Sequence, residues 1–112
     1  MICKDNNYAA FYDKAPVNKG HAIVIPKEHI ISLFDFPEDK INELFIFIKR
    51  VKEIIEAEYK PDGYNIGVNE GIAAGRSVDH LHIHIIPRYK GDITQPIGGI
   101  RNILGKNILP VS

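Results

Sequence analysis

The chain has 112 residues, with 14 Lys+Arg against 14 Asp+Glu and a formal net charge of zero. That length suits one domain over 1–112, and the charge balance excludes a global positive field for nucleic acid or a membrane surface. No leader or membrane-length apolar run is visible, and Cys3 alone excludes an intramolecular disulfide or a cysteine-built zinc site, so a cytosolic protein is expected.

In chain order, residues 8–13 read as a short strand with Phe11 and Asp13 on one side. Pro16, Asn18 and Gly20 mark a turn. The β-branched run from His21 to Ile25 is a second strand, stopped by Pro26, with His21 and Ile23 sharing a face. Residues 37–59 read as one long helix, with Pro37 suited to its first turn and Glu38 and Asp39 complementing its N-terminal dipole. Ile41, Leu44, Phe45, Ile48, Val51 and Ile55 form its apolar stripe. Phe47 and Ile54 widen that stripe and Ile46 lies nearly opposite it, which predicts either a deeply buried helix or a subunit contact. Pro61-Asp62-Gly63 is a turn. Tyr64, Ile66 and Val68 then take one face of a strand, and Asn65, Gly67 and Asn69 the other. A loop from Glu70 to Ser77 leads into a last strand, and the chain looks irregular from about residue 91. Strands, one helix, then strands with short connections predict an α+β domain with a mostly antiparallel sheet.

The last strand carries the chemistry. In His80-Leu81-His82-Ile83-His84-Ile85-Ile86 the side-chain period of two puts three imidazoles on one face and Leu81, Ile83 and Ile85 into a core. Three functions could use such a row. It could be the polar outer face of an edge strand. It could be a metal site, but histidines two apart stand roughly 6.5–7 Å apart along a strand, so a third overshoots one ion unless His21 or His29 substitutes. It could be nucleophilic catalysis at phosphorus, with one imidazole attacking and its neighbours holding anionic oxygens. The last reading fits best, because Gly75-Arg76-Ser77 just upstream offers donors and a close backbone approach for a phosphate.

These residues resemble the histidine triad (HIT) superfamily of nucleotide hydrolases and transferases. The likeness rests on the His80–Ile86 signature, on the run Pro16–His29, on Val68-Asn69-Glu70-Gly71 and on Ala74-Gly75-Arg76-Ser77. It implies a five-stranded, mostly antiparallel HIT-like sheet with one long helix packed on it, without the N-terminal helix that usually precedes the first strand. It implies His82 as the nucleophile on an α-phosphate, His84 on the phosphate oxygens, His80 orienting the nucleophile and His21 in the same network. Asn69 and Ser77 match groups for phosphate or the leaving group, and Asp13 matches the ribose position. Phe11 and Ile23 match the walls of a purine pocket. Arg76 stands where several relatives have Gln, which suggests a grip on a longer polyphosphate. The resemblance favours the branch that hydrolyses dinucleoside polyphosphates to AMP, with an adenosine phosphoramidase or a nucleotide-binding module as alternatives. It also implies a homodimer, with Phe47, Ile54 and Ile46 as candidate contacts. It implies no bound metal and no required cofactor, although Mg2+ can accompany a polyphosphate. His29 is then a partly exposed structural residue.

Overall fold

The computed structural model describes residues 1–105. The remaining stretch of the irregular tail, 106–112, lies outside the described residues. Strands β1 (Cys3–Lys4), β2 (Tyr8–Tyr12), β3 (Ala22–Pro26), β4 (Gly63–Gly67) and β5 (Ile83–Arg88) form one sheet in the order β1-β2-β3-β5-β4. All four pairings are antiparallel. Among the described residues a single α-helix, α1 (Ile41–Tyr59), lies between β3 and β4 in sequence. The predicted α+β architecture is therefore present. The short β1 escapes sequence reading, because two residues carry no alternation.

Strand alternation divides the sheet into two faces. Tyr8, Ala10, Ala22, Val24, Ile83 and Ile85 are buried, and they form one core with Leu44, Phe47, Val51 and Ile55 of α1. The helical stripe is therefore phased differently from the expected one. Phe47 is 3% exposed and at the centre of the packed face, whereas Phe45 is 68% exposed. This corrects Phe47 as a subunit contact: Tyr8 packs on its ring with centroids 5.4 Å apart. Ile54 is half-buried and Ile46 exposed. Two tyrosine hydroxyls fasten the end of the helix to the sheet, Tyr12 to Glu58 (3.1 Å) and Tyr64 to Glu56 (2.6 Å). The helix stops at Lys60, in the left-handed region at φ 51°, and Pro61 prevents its continuation.

Two boundaries differ from expectation. Strand β5 runs past Pro87 to Arg88, because beyond the Ala22–Ile85 pair its only neighbour is β4, and a residue without an N–H is tolerated on that open side. At its other end β5 starts at Ile83, not His80. The preceding segment bends through His80 and bonds to the loop after β3 instead of to a strand: Leu81 N–H donates to Ile30 O at 2.6 Å. The tail contains a short 3-10 helix, Gly99–Leu104.

Candidate active site

The face of the sheet away from α1 carries the polar residues. Register places Phe11 beside Ile23, Ile23 beside His84, and His84 beside Gly67, so one row crosses four strands. Above that row opens a cleft of about 580 Å³. Phe11, Ile23, Ile25 and Val78 make its apolar wall, Asp13, Asn69 and Ser77 its polar rim, and His80, His82 and His84 one side. Gly75 also lines it, at φ 100°, a conformation suited to glycine. Two residues expected in the cleft do not line it. His21 stands behind His84, and Arg76 is turned elsewhere. Tyr12, Lys14, Ile25 and Val78 line it without having been singled out. Ile25 was within reach of the alternation that selected Ile23. Lys14 was not, because β2 ends at Tyr12 and strand phase no longer applies beyond it.

Main-chain groups decide which ring nitrogen carries the proton in His21, His80 and His82, and His21 decides it for His84. Val17 N–H donates to His21 Nδ1 (3.1 Å), so in the neutral ring the proton sits on Nε2. That Nε2–H points at His84 Nδ1, 2.9 Å away, and so leaves the His84 proton on Nε2. His82 Nδ1 lies 2.9 Å from the carbonyl oxygen of His80, which can only accept, so Nδ1 is protonated and Nε2 keeps its lone pair. His80 Nε2 likewise donates to Pro26 O at 2.7 Å. The His82 and His84 rings meet edge to face, with centroids 5.1 Å apart. The pattern is one lone pair on His82 beside one N–H donor on His84.

Charge is set by burial. His21 is 4% exposed, and desolvation holds its pKa below the ordinary imidazole value, with the Asp13 carboxylate pulling the other way. His84 is lowered too, first by burial and then by its neighbours His21 and His82, again against Asp13. The Asp13 carboxylate is 3.5 Å from His21 Nε2 and 3.8 Å from His84 Nδ1. Donor atoms of Asp13, His21 and His84 lie within 4.8 Å of one another, a spacing a metal could use. The Val17 N–H on Nδ1 disfavours that use, because it keeps a proton on His21 Nε2, where a ligand needs a lone pair. His29 is exposed and sits edge-on to His80, with centroids 5.5 Å apart.

The loop before the histidines is held by its own contacts. Glu70 accepts from Ser32 Oγ (2.7 Å) and Leu33 N–H (2.6 Å), and these bonds hold its carboxyl below the usual range. Arg76 Nε is buried, lacks a hydrogen-bond partner and stands 3.5 Å from Asp79 Oδ1. Its guanidinium also acts electrostatically on Glu70. Arg76 therefore faces acids of its own loop and is not among the residues lining the cleft. The N–H groups of Gly75 and Arg76 are likewise bonded to Ile72 O (2.9 Å) and Gly71 O (3.1 Å), so they are not the phosphate donors expected of this segment.

Residues 1–91 match the HIT domain model. An uncharacterized HIT-like protein of Methanocaldococcus jannaschii is 47% identical over 94 residues, which are 82% of this chain and 70% of the relative. The asymmetrical bis(5'-nucleosyl)-tetraphosphatase of Schizosaccharomyces pombe is 37% identical over 78% of this chain and 48% of its own length. An adenosine 5'-monophosphoramidase of the same organism is 40% identical over 70% of this chain and 56% of its own. The crystal structure of a HIT family protein from Bacillus subtilis superposes with a TM-score of 0.76 at 38% identity, covering 81% of this chain and 64% of that one. Several of these relatives are thus matched over less than two thirds of their length.

Proposed function

The chain belongs to the HIT domain family, and on that premise we propose that it cleaves dinucleoside polyphosphates, releasing AMP through a covalent nucleotidyl-His82 intermediate. The observation that carries this reading is the fixed polarity of the rings: His82 Nε2 keeps a lone pair beside a cleft with an apolar wall. The base would lie against Phe11 and Ile23, and Asp13 would accept from the ribose hydroxyls. His82 Nε2 attacks the α-phosphorus, and the bond to the bridging oxygen breaks, its electron pair leaving with the nucleoside polyphosphate. The positive charge that grows on the ring is offset by its Nδ1–H bond to His80 O. His84 Nε2–H donates to a non-bridging oxygen, with His21 behind it holding that proton in place. Water then attacks the phosphorus, the P–N bond electrons return to Nε2, and AMP leaves with one proton passing to solvent. A polyphosphate leaving group needs little protonation at neutral pH. No metal or cofactor is required at the nucleophile, and Mg2+ would act only as a counterion of the substrate.

Ser77 in the cleft favours a second reading, a phosphoramidase in which the leaving amine is protonated. Product analysis separates the two. Wild type and His82→Ala are incubated with diadenosine tetraphosphate and with an adenosine phosphoramidate, and products are resolved by chromatography. AMP plus ATP, lost in the variant, is expected. AMP plus amine alone would establish the second reading, and binding without turnover of either substrate would leave a nucleotide-binding module.

A homodimer goes with this reading, using exposed Ile46 and half-buried Ile54 on the helix. Sedimentation as a monomer at micromolar concentration would overturn it. Zero net charge supports a small nucleotide over nucleic acid, and no described helix is long and apolar enough to cross a membrane. We propose a cytoplasmic location for this reaction.

A further inference from the structure

The Val17 N–H that sets the polarity of His21 belongs to an exposed turn, yet that turn is held from three directions. Asn18 Nδ2 donates to Asp92 Oδ2 (2.7 Å) and to Pro87 O (3.1 Å), and Tyr89 Oη donates to Lys19 O (2.7 Å). Asn18 O in turn accepts the N–H of His21 (3.2 Å). The far anchor is firm. Asp92 takes both Nε and Nη2 of Arg88 (2.8 and 2.9 Å) and the Tyr89 N–H (3.0 Å), while Arg88 Nη1 reaches Asn65 Oδ1 on β4 (2.7 Å). Arg88, then the Tyr89 amide, hold the Asp92 carboxyl far below the usual range. Gly20 closes the turn at φ 82°, where a Cβ would come within 2.9 Å of the Tyr59 ring, so the turn is also pressed against α1.

We propose that Arg88, Asp92 and Asn18 form a positioning clamp for the His21–His84 pair: by fixing the 16–20 turn against β5, the clamp aims the Val17 N–H at His21 Nδ1 and so determines which nitrogen of each ring bears the proton. Asp92 lies beyond the stretch that matches the HIT domain model. None of the three residues lines the cleft of the histidines. Without the clamp the turn can move, His21 can take its proton on Nδ1, and His84 then loses its Nε2–H toward the cleft. The catalytic consequence rests on the function proposed above, but the tautomeric one does not.

The test is imidazole nitrogen NMR on the full chain labelled with 15N-histidine, for wild type, Asn18→Ala and Asp92→Asn, alongside steady-state kinetics on diadenosine tetraphosphate. Wild type should show His21 and His84 each as a single tautomer with the proton on Nε2. In both variants the His21 signals should move toward the average of two tautomers. Their kcat should fall about tenfold to a hundredfold with KM nearly unchanged, as for a mispositioned catalytic group. A variant that melts earlier but keeps the wild-type nitrogen pattern and kcat would show a merely structural role and overturn the proposal. Tyr89→Phe, which removes only the bond to Lys19 O, covers the case in which Asn18→Ala fails to fold, and it should shift the His21 signals the same way by less. Wild type inactive on every nucleotide would sink the proposed reaction while leaving the nitrogen readout decisive for the clamp.

Discussion

The two faces of the sheet are built from the same strands and do opposite work. On β5, Ile83 and Ile85 pack against α1 while His84, between them, faces the cleft. On β3, Ala22 and Val24 belong to the core while Ile23 faces the cleft. The core and the histidine row are therefore one residue apart, and His82 and His84 take their positions from the buried Leu81, Ile83 and Ile85 beside them.

Substitutions on alternate positions should separate cleanly, and the sharpest break is at His82, the proposed nucleophile. His82→Ala should lose at least about a thousandfold in kcat while its urea midpoint stays near wild type. Loss of folding instead would mean that the two faces are not independent. One face over, Ile85→Ala should cost about 2–5 kcal/mol of stability, because its fully buried side chain leaves a cavity against the helix. Its folded fraction should retain most of the turnover, as comparison of chemical denaturation with activity per folded molecule would show.

Acid tests the open face next. Folding lowers the pKa of His21 and His84, so the unfolded chain binds more protons than the native one below the ordinary imidazole value. That stability is fully present above the ordinary value and is lost as pH falls from there toward the folded values. Turnover should fade in the same window, since a protonated His84 would set two N–H groups face to face across the 2.9 Å contact with His21. Asp13→Asn removes the one group that pulls both values upward, so it should move this acid limb to lower pH. A limb that moves upward would reverse the assigned role of Asp13. The smallest effect expected is at the wall. Phe11→Leu should raise KM roughly threefold to tenfold with kcat little changed, as steady-state kinetics would show.

The division into faces was largely legible in the sequence, because strand alternation is a local property. It placed Phe11 with Asp13 on the cleft side, and Leu81, Ile83 and Ile85 in the core. The helix was harder to phase. Leu44 to Ile48 are all apolar, so periodicity could not tell that Phe47 is inside and Phe45 outside. The surroundings of Arg76 were not legible, because a loop side chain goes where its partners are, and here those are Glu70 and Asp79 of its own loop. The contacts of Asp92 were not legible, since its four hydrogen bonds come from partners both local and more than seventy positions away.

The groups that orient these rings are a peptide N–H at Val17 and peptide carbonyls at His80 and Pro26. Side chains can be exchanged by mutation, whereas a peptide group survives every substitution except, for its hydrogen, proline. The proton arrangement of the triad is thus encoded in the path of the chain. It can persist through extensive sequence drift around it as long as that path is kept, and at position 17 proline is the one residue that would erase it outright.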